Sequence, residues 1–206
     1  MSAAGLPPEA SAGGSYAEGS SSGASSGAAS SGIPASRAEA PGVPVPSAVG
    51  EGLKAAFRTH PAGVAIITAA TAEGPVGLTA SSVASVAVDP AAIVFSVTRA
   101  TGSAGGLLSA DTFVVHLIDD DHSALAQSFA VSGSERFTPE QQWSTLPTGE
   151  PYLPAARFAL RCRAIQVVPV GTSSVVIAEV LEVFSGPQGR PLVYVDRRFH
   201  TLSHPS

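Results

Sequence analysis

Two clusters of small hydroxyl residues are where this chain could do chemistry. The first lies in the run from Gly74 to Pro90, where Thr79, Ser81, Ser82 and Ser85 interrupt an otherwise apolar stretch. Small side chains there leave room for a ligand to lie against the backbone, and hydroxyls add donors beside main-chain N–H groups. Such a surface suits a flat, polar-edged ligand or a phosphate. An edge strand that tolerates Ser and Thr is the plainer reading of that stretch taken alone. The second cluster is Ser96, Thr98, Arg99, Thr101 and Ser103. Hydroxyls, free N–H groups and a guanidinium at a strand end and helix start would hold a phosphate. Ordinary helix capping by Thr101 or Ser103 is the alternative. With both clusters on one sheet, the phosphate reading is the stronger.

Other familiar chemistries fall away. Gly19-Ser20-Ser21-Ser22-Gly23 and Gly23-Ala24-Ser25-Ser26-Gly27 match the spacing of a nucleophile elbow, but no strand precedes them and no helix follows. Neither GxGxxG nor a Walker loop occurs. Histidines 60, 116, 122, 200 and 204 lack metal-ligand spacing, so no metal is expected. Cys162 is the lone cysteine, which excludes an internal disulfide. It alternates with arginines on the apolar side of a strand, so it reads as core.

The elements that must position these residues follow from periodicity. Ser47 reads as the cap of a short helix carrying Val49, Leu53, Ala56 and Phe57 toward the core. Val64 to Ala70 is a buried strand, Glu73-Gly74-Pro75 turns the chain, and the first hydroxyl run returns antiparallel. Ile93 to Thr98 is a strand, and a helix runs from Gly102 or Ser103 to Ala110. Phe113 to Ile118 is a strand, followed by Asp119 to Asp121 and a helix from Ser123 to Ala130, whose start suits negative charge. Ser132 to Leu153, with the lone Trp143, is a long connection of the kind that is functional or covers a ligand. Phe158 to Ala164 alternates, Val175 to Phe184 is a long strand, and Leu192 to Val195 pairs back. Many short antiparallel strands with two helices and turns at regular spacing point to a mainly β fold, a small β-barrel.

Composition divides the chain in two. Residues 1–46 are nearly all Ala, Ser, Gly and Pro, too poor in apolar bulk to offset chain entropy, and read as a disordered tail. Residues 47–206 suffice for one domain. Setting aside the tail's Arg37, Glu9, Glu18 and Glu39 leaves that domain at net −3, against −5 for the whole chain. An acidic domain with no basic stripe argues against nucleic acid as a partner. No apolar run approaches the ~20 residues of a membrane span, and no secretory leader opens the chain. A cytoplasmic location is the expectation.

From about Leu53 to Leu202 the chain resembles the flavin reductase-like domain family, the FMN-binding split β-barrel. The resemblance rests on Phe57-Arg58 with Pro61-Ala62-Gly63-Val64, on Val76 to Ser82, on Ser85-Val86 with Asp89-Pro90, and on Val97-Thr98-Arg99. It continues through Phe113 to Leu117, Leu125 to Ala130 with Arg136-Phe137, and Leu192-Val193-Tyr194. Their order and spacing carry it, rather than any single piece.

What the resemblance implies is a homodimer holding FMN, or FAD in some members, at its interface. NADH or NADPH is the hydride donor, and reduced flavin passes to a partner monooxygenase or oxygen. Thr79, Ala80, Ser81 and Ser82 would contact the ring edge and ribityl chain. Thr98, Arg99, Thr101 and Ser103 would hold the phosphate, and Phe129 with Ala130 would wall the ring. Hydride passes directly from nicotinamide C4 to flavin N5, so no catalytic acid–base pair is implied. Many members carry Gly-Asp-His-Thr before the long strand, its His near the nicotinamide. Here that run is Gly171-Thr172-Ser173-Ser174, so Ser173 takes the nicotinamide-facing place, with His200 as a second candidate. An Asn common in the central strand is His116. The serine keeps two rivals open: a non-catalytic flavin-binding protein, and a split-barrel oxidoreductase acting on another substrate or on a deazaflavin.

Overall fold

The structure, a computed structural model, describes residues 47–98 and 101–202. The tail reading for residues 1–46 and the site reading of Arg99 therefore lie outside the described residues. Helix α1 spans Ser47–Arg58, and strands β1 (Ala62–Gly63), β2 (Ala65–Thr71), β3 (Gly74–Ala80), β4 (Ala84–Val88) and β5 (Ala91–Thr98) follow. Next come α2 (Ser103–Ser109), β6 (Phe113–Leu117), a short 3-10 turn and α3 (Ser123–Ala130). The last part holds β7 (Ser144–Thr145), β8 (Pro151–Tyr152), β9 (Phe158–Val170), β10 (Ser173–Ser185), β11 (Leu192–Val195) and β12 (Arg198–Thr201). The fold is mainly β, as expected.

Seven antiparallel strands form the main sheet in the order β3-β2-β6-β9-β10-β5-β4. Its outermost members, β3 and β4, are joined by only Ser81, Ser82 and Val83. Laid flat, six strand spacings would separate them by ~29 Å. The link from Ala80 to Ala84 reaches at most ~14 Å. The sheet must therefore curl until its two ends face each other. Ser82 fastens the seam: its Oγ donates to Ser96 O (3.2 Å) and accepts from Ser96 N–H (2.9 Å).

Strand alternation sorts the core onto the two faces of this curled sheet. Ala65, Ile67, Phe113, Val115 and Cys162 pack with Phe95 on one face. Val64 and Ile66 point the other way, toward Ile118, Phe129, Leu153 and Leu192. β2 is buried on both sides because its neighbours cover both, which accounts for its mostly apolar composition; the buried Thr68 hydroxyl donates to Pro151 O (2.7 Å). Cys162 is core, as expected, and burial pushes its thiol up to about 12, so it is an inert thiol.

Two expectations need correction. α1 forms, with Ser47 as its first residue, but Val49, Leu53 and Phe57 are 60%, 59% and 65% exposed. Periodicity found the apolar stripe without showing what it meets. β11 pairs not with the long β10 but with β1 and β12, in a separate three-stranded sheet. The 132–153 connection is exposed along much of its length and anchored inward at a few points. Leu146, Glu150 and Leu153 are buried, and Trp143 packs against Phe129, Phe137 and His116. Glu150 anchors it, accepting from Thr148 within the connection and from Thr112 (2.5 Å) and Arg161 Nε (2.7 Å) outside it.

The longest hairpin, β9–β10, has 13 residues per strand and turns on Gly171-Thr172, with Gly171 at a φ of 58° that only glycine adopts without strain. β6 pairs only with Phe158 to Cys162 of β9. Beyond that, β9 has no strand partner on the β6 side among the described residues, and Pro169 is tolerated there. This outer half carries Ile165 (59% exposed), Val167, Val168 and Val170 (58% exposed).

Candidate functional site

The curl places the two hydroxyl clusters opposite one another across a cavity of about 670 Å³. That volume is in the usual range for a small-molecule site, ~300–1,000 Å³. β3 and the link after it contribute one wall, Leu78 through Ser82. Because β3 ends the sheet, its outward N–H and C=O groups have no strand partner among the described residues. The opposing wall is the end of β5, Ser96 to Thr98, followed by Thr101, Gly102 and Ser103 at the start of α2. The end of α3 supplies Phe129 and Ala130.

Nine of the residues singled out in sequence thus line one cavity: Thr79, Ala80, Ser81, Ser82 and Thr98, then Thr101, Ser103, Phe129 and Ala130. Their hydroxyls are not equivalent. Thr79 Oγ1 donates to Ala126 O at 2.6 Å, which ties β3 to α3 and leaves Thr79 only as an acceptor. The Ser82 hydroxyl is committed to Ser96 across the seam. Ala80 is buried and Ser81 is exposed. Phe129 is 2% exposed, so it forms the floor rather than a free-standing wall. Gly77 makes room for its ring.

Ser173 begins β10 beside Thr98, to which its Oγ donates at 3.4 Å. It stands at the rim, outside the cavity lining. His200 is exposed on β12 and lines a neighbouring groove of about 380 Å³ with Asp120, Gln127 and Phe199. A smaller recess bridges the two spaces. It shares Thr79, Ser81 and Ala130 with the main cavity, and Gln127 and Phe199 with the groove. His200 is thus reached from the cavity along this trough rather than facing it directly.

Arg136 was missed as a site residue. It lines the cavity from the loop after α3, and among the described lining residues it is the one charged side chain. Its NH1 donates to Gly77 O (2.9 Å) and Ser103 Oγ (2.7 Å), its NH2 to Val131 O (2.8 Å) and its Nε to Ser128 O (3.4 Å). The guanidinium carbon lies 5.5 Å from the centre of the Phe129 ring. Burial lowers its pKa from the ordinary value, and an arginine still keeps its proton. The Arg-Phe pair was visible in sequence; that its charge returns to the hydroxyl clusters was not.

His116 has no path to the cavity. Its ring is fully buried, with Nδ1 bonded to Ile66 O (3.0 Å) and Nε2 accepting Leu153 N–H (3.2 Å), which sets the proton on Nδ1. Asp119, Asp120 and Asp121 gather before α3. Asp119 there meets His122 Nδ1 at 2.5 Å, and Asp120 meets Arg190 at 2.7 Å, so these carboxylates are engaged in ion-pair geometry.

Among the described residues, a lining of hydroxyls, a strand edge without a strand partner, an aromatic floor, one guanidinium and no carboxylate suits a flat ring system carrying an anionic tail. Comparison with known proteins agrees. The family model described as "Flavin reductase like domain" matches residues 57–203. An NADH:FMN oxidoreductase of Rhodococcus erythropolis is 36% identical over 151 residues, covering 71% of this chain and 79% of that one. The reductase component of an FADH(2)-dependent resorcinol hydroxylase from Rhizobium sp. (strain MTP-10005) is 31% identical over 162 residues, 77% of this chain and 90% of that one. In three dimensions the chain is similar to a flavin reductase domain protein from Arthrobacter sp. FB24. The TM-score is 0.71 at 30% identity, covering 76% of this chain and 98% of that one.

Proposed function

The chain belongs to the flavin reductase-like domain family, and from that premise we propose that it is an FMN-binding NAD(P)H:flavin oxidoreductase that supplies reduced flavin to a partner monooxygenase. The observation that carries this reading is the single cavity in which both hydroxyl clusters meet. Flavin, when bound, supplies the hydride acceptor, and NADH or NADPH the hydride. The protein's own task is then positioning and exclusion of water rather than proton transfer. The open edge of β3 and Ser81 read the polar rim of the ring, while Phe129 supports it from below. Thr98, Thr101 and Ser103 face the phosphate end, and Arg99, which follows Thr98 directly in the chain, is assigned there with them. The hydride donor approaches along the trough from His200, past Ser173 at the rim.

Further readings complete the proposal. The curled sheet is a split barrel, and the chain is a homodimer in the cytoplasm. The outer half of β9 supports the dimer, because an apolar strand with an open edge is a surface that partners cover. Among the described residues, no helix is long and apolar enough to cross a membrane.

The test is the visible spectrum of purified protein incubated with FMN, before and after anaerobic NADH. Bleaching of the bound flavin at a rate set by protein concentration supports a reductase. A yellow protein that stays yellow under NADH is instead a flavin carrier, the reading that Ser173 in place of an imidazole favours. Failure to retain or reduce any flavin overturns both.

A further inference from the structure

Arg136 and Ser103 are joined across the cavity by a bond of defined direction, NH1 donating to Oγ at 2.7 Å. A guanidinium has donors and no acceptor, so this bond cannot run the other way. Ser103 Oγ must therefore accept, which leaves its own proton to give. Among the described residues the Ser103 hydroxyl has this bond to Arg136 and no other, and Ser103 lines the cavity. A hydroxyl that accepts from a cation is also the stronger donor, since hydrogen bonds in a chain polarise one another. The other Arg136 donors hold the carbonyls of Gly77, Ser128 and Val131, so the fork is fixed from three sides.

We propose that Arg136 is a positioning residue that selects the phosphate-bearing flavin by orienting and polarising the Ser103 hydroxyl toward the phosphate. This rests on the flavin reading above and goes beyond it, because it gives charge selectivity to a residue outside both hydroxyl clusters. No acidic side chain lines the cavity among the described residues, so nothing there cancels the guanidinium's field.

FMN and riboflavin share a ring and differ by the phosphate, so their affinity ratio isolates the effect. The experiment titrates each flavin against the full chain by fluorescence quenching, for wild type, Ser103→Ala, Arg136→Gln, Arg136→Lys and the double variant S103A/R136Q. Wild type should prefer FMN. Ser103→Ala and Arg136→Gln should each reduce that preference about tenfold, and the double variant should lose little more than either. Lys keeps the charge without the fork, so Arg136→Lys should lose the preference as well. Equal weakening of both flavins would make Arg136 a scaffold clamp only. Additive losses, or a preference retained by Arg136→Lys, would overturn the route through Ser103. Ser103→Ala is conservative enough to fold, and an unchanged FMN preference in it overturns the proposal by itself. Wild type that binds neither flavin would instead sink the flavin reading.

Discussion

Gly77 and Phe129 meet so closely that a Cβ on residue 77 would stand 2.5 Å from Cε1 of the ring and 2.9 Å from its Cδ1. The ring has no retreat, because it packs edge-on to Phe137 at 5.1 Å and lies under Arg136. Gly77→Ala should therefore cost ~1–3 kcal/mol of stability through overpacking. Phe129→Leu in that background should return part of the loss, with urea unfolding as the measurement. Full stability of Gly77→Ala alone would show that the floor yields freely.

Stability should fall in two steps on acidification. Burial pushes the His116 imidazole down to about 4, with its bond to Ile66 O opposing the shift. An unfolded histidine titrates near ~6.5. As pH falls from there toward about 4, the unfolded chain takes up a proton that the folded chain refuses. This contribution is whole above ~6.5 and declines by up to ~1.4 kcal/mol per pH unit below it. His116→Gln should flatten that limb in urea titrations at stepped pH. A limb that keeps its slope would assign it elsewhere.

The second step belongs to Glu150. Burial opposes its ionisation, but hydrogen bonds from Thr112, Thr148, its own backbone and Arg161 outweigh burial and hold its carboxyl at about 2. An unfolded Glu titrates near ~4.3, so its stabilisation is whole above that and is lost as pH drops toward about 2. Glu150→Gln leaves the partly buried Arg161 without its counter-charge and should cost up to ~3 kcal/mol at neutral pH. A loss below 1 kcal/mol would mean that water reaches the pair.

Ser173→Ala removes only a long bond to Thr98, so flavin affinity should hold. A bond to the nicotinamide carboxamide would register instead as ~0.5–1.5 kcal/mol in KM for NAD(P)H. Ser173→His should retain flavin and match or improve NADH turnover. Loss of flavin binding in that variant would mean that residue 173 packs on the ring.

Sedimentation at micromolar concentration should give twice the chain mass of 20.5 kDa. Val168→Glu places a charge in the outer half of β9 and should yield monomer with weakened flavin retention. A variant that remains dimeric would move the interface to another surface.

Strand alternation and turn residues made β2, β3, β5, β6 and β10 legible in sequence to within a few residues, since each side chain's neighbour there is set by the next strand. The cavity's hydroxyls were legible by type. Which of them were already spent was not, because Thr79 meets Ala126 and Ser82 meets Ser96 only once the sheet curls. Arg136 escaped for the same reason, its partners lying as far back as Gly77. α1 shows the limit from the other side, where an apolar stripe at helical spacing has no core beneath it.

Arg136 brings a positive charge to the cavity of a chain of net charge −5, and both FMN and the nicotinamide donor are anions. At a distance the molecule repels the ligands that it holds at close range. Salt screens the distant repulsion beyond ~8 Å at physiological strength, so the rate of encounter should rise with ionic strength. Dissociation should quicken as well, because the same ions compete at the guanidinium. Ligand exchange would then be fastest in concentrated electrolyte at little net change in affinity, which favours a protein that must hand its product on rather than keep it.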